Sequence, residues 1–142
     1  MLRRSAIFLG TALTVALGIC AAHQKSKSQT TPRKPDLTTG KATFLQYCAS
    51  CHGKTAKGDG PAAFAMKIPP TDLTTLTRRH EGKFPAGYVA ALLIFGRSLA
   101  SHGSFDMPVW GTRFRSLDPV NDPTGQQHID DVVAYIRSLQ GN

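Results

Sequence analysis

The sequence predicts an all-α domain of three main helices and one or two short ones, and three observations carry that prediction. No stretch alternates apolar and polar residues in the manner of a half-buried strand. Apolar residues recur at helical spacing in three segments, near residues 41–49, 85–95 and 126–140. Between these lie glycine- and proline-rich stretches that stop helices. With 142 residues, 41% of them hydrophobic, the chain has room for one small core and a separate terminal segment.

That segment is N-terminal. Residues 1–22 open with Arg3 and Arg4, run through apolar Ala6 to Ile19 and close on Cys20-Ala21-Ala22, the pattern of a secretory signal cut after Ala22. An uncleaved anchor competes, because Ala6 to Ala22 reaches the lower edge of membrane-spanning length, so membrane association through the N-terminus stays open. Residues 23–38 hold Ser, Thr, Gln, Lys and two prolines with one large apolar residue, too little apolar surface to order themselves, and read as a flexible polar tail. The folding domain is therefore 39–142, exported to the periplasm.

The formal charge of +8 is concentrated outside that domain, which carries 11 basic and 8 acidic residues. They are scattered without a run of five, which argues against nucleic acid as a partner and leaves room for a modest basic face toward an acidic one.

The first helix is expected over Lys41–Ala49, with Phe44, Tyr47 and Cys48 on one side. It delivers Cys48-Ala49-Ser50-Cys51-His52, the C-x-x-C-H signature of c-type haem attachment. One helical turn sets both sulfurs at the haem edge for thioether formation with two vinyl groups, and the next side chain, His52, meets the iron. A thioredoxin-like dithiol would follow a strand in a βαβ pattern, and a structural zinc site would need a second ligand pair; neither accompanies these residues. Of three cysteines, Cys20 belongs to the signal and two to the motif, so no thiol is left for a disulfide.

Together with Gly40 and Phe44 before the motif, Gly-Asp-Gly-Pro at 58–61, Met107-Pro108 and a closing helix around Asp131-Val132-Val133-Ala134-Tyr135, the sequence resembles a class I cytochrome c over roughly residues 38–140. The resemblance implies the cytochrome c fold around one covalent haem c, with His52 and Met107 as axial metal ligands. It implies that Gly40 lets the C-terminal helix cross closely, so that Val132 and Tyr135 meet Gly40 and Phe44. It gives Pro61 a carbonyl that accepts the Nδ1 proton of His52, against the plainer reading of a turn proline. Trp110 is either a packing residue or an indole laid against the haem edge, with Arg97, Arg113 or Arg115 near a propionate.

The remaining elements follow from local chemistry. A short helix is expected over Ala62–Lys67, a weak turn from Thr71 toward Glu81, and a helix over Pro85–Phe95 that walls the haem pocket. Residues 97–124 show no helical period and carry Met107 and Trp110. The last helix, Gln126–Gln140, starts at a Thr124/Gln127 capping box, with His128 facing solvent.

The function expected is one-electron transfer between redox proteins such as a dehydrogenase, a cytochrome complex or an oxidase, without enzymatic activity, because two axial ligands leave no open position for a substrate. The alternatives are a haem protein with a displaceable sixth ligand, binding a gas or reducing peroxide, and a cytochrome subunit dedicated to one dehydrogenase or oxidase complex. His102, Met66, His80 and His128 compete with Met107 for the sixth position.

Overall fold

The first helix begins where Asp36 turns its carboxylate onto the free amides of Thr38 and Thr39, at 2.7 and 3.1 Å. This is seen in a computed structural model that describes residues 33–96, 107–122 and 124–141. Residues 1–22, read above as a signal, residues 23–32 of the expected tail, Arg97 and His102 lie outside the described residues. Among the described residues six α-helices follow in order: α1 (Leu37–Tyr47), α2 (Ala49–His52), α3 (Leu76–Arg79), α4 (Ala86–Phe95), α5 (Trp110–Arg115) and α6 (Gln126–Ser138). Two 3-10 turns, Ala63–Ala65 and Leu73–Thr75, fill the connection from α2 to α3, and the described residues contain no strand. The all-α expectation holds. No helix among the described residues is long and apolar enough to cross a membrane.

Helix α1 starts four residues before the expected Lys41, and the stretch Arg33–Thr38, read from composition as the end of a flexible tail, is hydrogen-bonded to the domain through Arg33 and Asp36. The cause lies in α6. Asp131 is only 1% exposed, and its carboxylate collects the Arg33 guanidinium at 2.6 Å, the Asp36 amide at 2.8 Å and the Gln127 side-chain amide at 3.1 Å. A buried carboxylate needs such donors to offset its desolvation, and two of the three come from the segment before α1.

Helices α1 and α6 form the main packing contact of the domain. A β-carbon at Gly40 would collide with the Asp131 carbonyl oxygen and stand 3.0 Å from Tyr135 Cβ. The backbones thus meet at Gly40, as expected, although the α6 residues touching it are Asp131 and Tyr135; Val132 is fully buried in the core beside them. One turn further along α1, Phe44 is sealed from solvent with its ring 5.4 Å from that of Tyr135.

Helix α5 corrects the expectation of an irregular stretch over 97–124. Its six residues bury Trp110 and Phe114, one turn apart, with their rings stacked at 5.4 Å. Two apolar residues make too short a period to register in a sequence window. His128 is also corrected: it is half-buried, stacks on Phe114 at 5.7 Å and places Nδ1 3.0 Å from Asp122 Oδ2. The expected capping box is replaced by two separate acceptors. Thr124 Oγ1 takes the Gln126 amide at 3.2 Å, Asp122 takes the His128 amide at 3.1 Å, and Gln127 is drawn away to Asp131.

Two outcomes follow. Gly40→Ala inserts a methyl where backbones touch and should cost about 1–3 kcal/mol, read as a lowered denaturant midpoint; an unchanged midpoint rejects the close crossing. For Asp122, burial pushes the carboxyl pKa up, but the hydrogen bonds from the His128 ring and amide outweigh it and leave the group below its ordinary value of 3.8. A carboxylate with a depressed folded pKa contributes stability above the unfolded value and loses it as pH falls through the folded one. Thermal melts of wild type and Asp122→Asn should therefore differ at pH 6 and converge as the pH drops below 3.8.

Candidate functional site

Helices α1 and α2 share a bend at Cys48, whose amide still bonds Phe44 O at 2.8 Å while its carbonyl accepts from His52 N at 2.9 Å. That bend turns Cys48, Cys51 and His52 into a cavity of about 660 Å³. Tyr88, Val89, Leu92 and Leu93 of α4 form one wall, Val132 and Ile136 of α6 another, and Phe44, Leu73, Leu76 and Trp110 add to the apolar lining. This matches the expectation that α4 walls the pocket.

The loop after α2 is clamped onto the attachment turn by its backbone. Gly58 N bonds His52 O at 2.8 Å, Gly60 N bonds Cys51 O at 3.0 Å and Ala62 N bonds Ser50 O at 2.8 Å. Gly60 is required here, because a β-carbon would collide with the Ser50 carbonyl oxygen. Pro61 follows in a separate shallow depression beside Leu45, Ala49 and Gly53, away from the cavity.

The partner expected of Pro61 is supplied elsewhere. His52 Nδ1 lies 3.1 Å from the carbonyl oxygen of Thr71, at the end of the Pro69-Pro70 segment. The tight glycine turn carries Pro61 past the imidazole, and the chain returns to it ten residues later. A carbonyl can only accept, so Nδ1 carries the proton and Nε2 keeps its lone pair for a metal. Burial lowers the His52 pKa, opposed by the Thr71 bond, so the ring stays neutral and ligand-ready to more acidic pH. Burial also pushes the Cys48 thiol up to about 12, with Cys51 beside it adding to the effect.

Met107 and Trp110 both line the cavity, Met107 half-buried and Trp110 7% exposed. Trp110 packs on Tyr47 at 5.7 Å and carries the Arg113 guanidinium 5.9 Å above its ring. Of the arginines considered for an anionic group, Arg113 reaches the cavity and Arg115 does not. Of the rival sixth ligands, Met66 and His80 line the cavity, while His128 is engaged by Asp122. Sequence reasoning missed two contributors. Thr71 acts through a backbone carbonyl, which no side chain announces, and Arg79 reaches the cavity from α3.

Two thiols, an imidazole with Nε2 free and a thioether around an apolar space, with Arg79 and Arg113 among the lining residues, suit a flat apolar macrocycle that holds a metal and bears carboxylates. The residues present fit haem c.

Residues 35–91 match the family model described as Cytochrome C oxidase, cbb3-type, subunit III. The match takes in α1, α2 and α3, and with them Cys48, Cys51, His52, Thr71 and Arg79; Met107 and Trp110 lie beyond it. Neither the curated proteins nor the solved structures contain a significant match.

With no group to cover it, the apolar lining of this open-sided cavity would face water, a large loss of burial for a domain whose total stability is only ~5–15 kcal/mol. The double variant Cys48→Ala, Cys51→Ala, made without haem, should thus lack fixed tertiary structure; a sharp, dispersed amide spectrum would contradict this.

Proposed function

Taking as premise that the chain carries a class I cytochrome c domain with covalent haem c, we propose that it is a monohaem electron carrier of the periplasm, with His52 and Met107 as the axial pair. The observation that carries the reading is the hydrogen bond from His52 Nδ1 to Thr71, which leaves Nε2 as the ligand atom beside the same cavity that Met107 lines. Haem supplies the one-electron couple when bound. The chain would do the rest: Cys48 and Cys51 would hold the group by thioethers, and Thr71 fixes the imidazole tautomer. The apolar lining from α4, α5 and α6 would cover much of the group and limit the water around it, so that less reorganisation would accompany a change of charge. With His52 and Met107 both given to the metal, no ligand position would be left for a substrate, and the role would be carriage without catalysis. Export follows from the secretory pattern of residues 1–22.

The partner is a redox protein. The description of the matched family, an oxidase subunit, favours a cytochrome dedicated to an oxidase complex as the second reading. Retention of such a complex through purification from native membranes would select it over a freely diffusing carrier.

The test is spectral. Purified protein should give a c-type pyridine haemochrome and a mass equal to polypeptide plus one haem; the mass of the bare chain refutes covalent attachment. The sulfur-to-iron charge-transfer band of the oxidised protein should vanish in Met107→Ala and persist in Met66→Ala, His80→Ala and His102→Ala. Survival of the band in Met107→Ala overturns that ligand.

A further inference from the structure

The Thr71 carbonyl that orients His52 is on an exposed residue, outside any helix. An acceptor so placed keeps its direction only if its neighbours are fixed. The next peptide unit, Asp72–Leu73, is held on both sides. Leu73 N donates to Ala56 O at 2.8 Å. The Asp72 carbonyl oxygen accepts from Arg79 Nη2 at 2.8 Å and from Thr75 Oγ1 at 3.1 Å. The Asp72 side chain is occupied separately by the Thr74 amide and hydroxyl, at 2.9 and 2.6 Å. Arg79 is therefore the one charged donor on this peptide unit, from a helix three residues beyond it, and its side chain also lines the cavity.

We propose that Arg79 is a positioning residue for the axial imidazole: by holding the Asp72 carbonyl it fixes the adjacent Thr71 carbonyl and so keeps the His52 Nδ1 proton in place. A hydrogen bond from a charged donor is stronger and better directed than the Thr75 hydroxyl beside it. Outer partners of this kind set the orientation and basicity of a ligating imidazole. The inference rests on His52 being the haem ligand.

The experiment uses the reduced holoprotein, in which the His52 Nδ1 proton is followed by NMR and its exchange with solvent is timed. Wild type is compared with Arg79→Met, which keeps length but neither charge nor donor, and Arg79→Lys, which keeps both charge and a donor. Exchange should quicken by roughly tenfold or more in Arg79→Met. It should return toward the wild-type rate in Arg79→Lys, with the Met107 methyl signal unchanged in both. An unchanged proton in Arg79→Met overturns the inference while leaving the carrier reading intact. Wild-type protein without covalent haem overturns both, whereas covalent haem with no His52 proton protected overturns the inference alone.

Discussion

The close approach of α1 and α6 at Gly40 is the constraint on which the site depends. Gly40, Phe44 and Cys48 follow one another at four-residue steps and are all buried, so a single face of α1 serves in turn as crossing point, core and attachment point. Sliding α1 by one residue would move it 1.5 Å and rotate it by about 100°, taking the first thiol off the cavity. The contact that fixes this register is steric at Gly40 and ionic at Asp131, where Arg33 and the Asp36 amide hold the start of the helix. Stability and haem placement are thus set by the same few residues.

What the sequence made legible were features with a local signature. The attachment motif, the all-α class, α4 and α6 all announce themselves through spacing or period, and the crossing glycine follows from a resemblance that the packing at Asp131 and Tyr135 bears out. The features that escaped depend on partners far away in sequence. Arg33 looked like part of a tail because its acceptor lies 98 residues on, in α6. His128 looked exposed because Asp122 and Phe114 come to it from a segment without a period. The resemblance offers Pro61 as the acceptor for His52 against a plain turn proline; the acceptor is the backbone oxygen of Thr71, and backbone oxygens are identical at every position in a sequence.

The two sides of the cavity are built differently. On the His52 side, backbone bonds tie the α2 turn, the glycine loop and the Thr71–Leu73 segment to one another, and little there can move alone. The opposite side is made by α5 and the residues just before it, which lean on α4 and α6 through aromatic and aliphatic contacts. Any rearrangement around a bound group falls more readily on that second side.

Trp110 bears on how far such a rearrangement can go. Its indole is buried against Tyr47 and Phe114, and Met107 is only three residues before it. A chain of that length spans at most about 10 Å, so a thioether that swings out of the cavity stays tethered within reach of it. A short tether keeps its end at an effective concentration in the millimolar range. A dissolved gas or peroxide entering that side of the cavity would meet the thioether at this local concentration and would have to bind correspondingly more tightly to displace it.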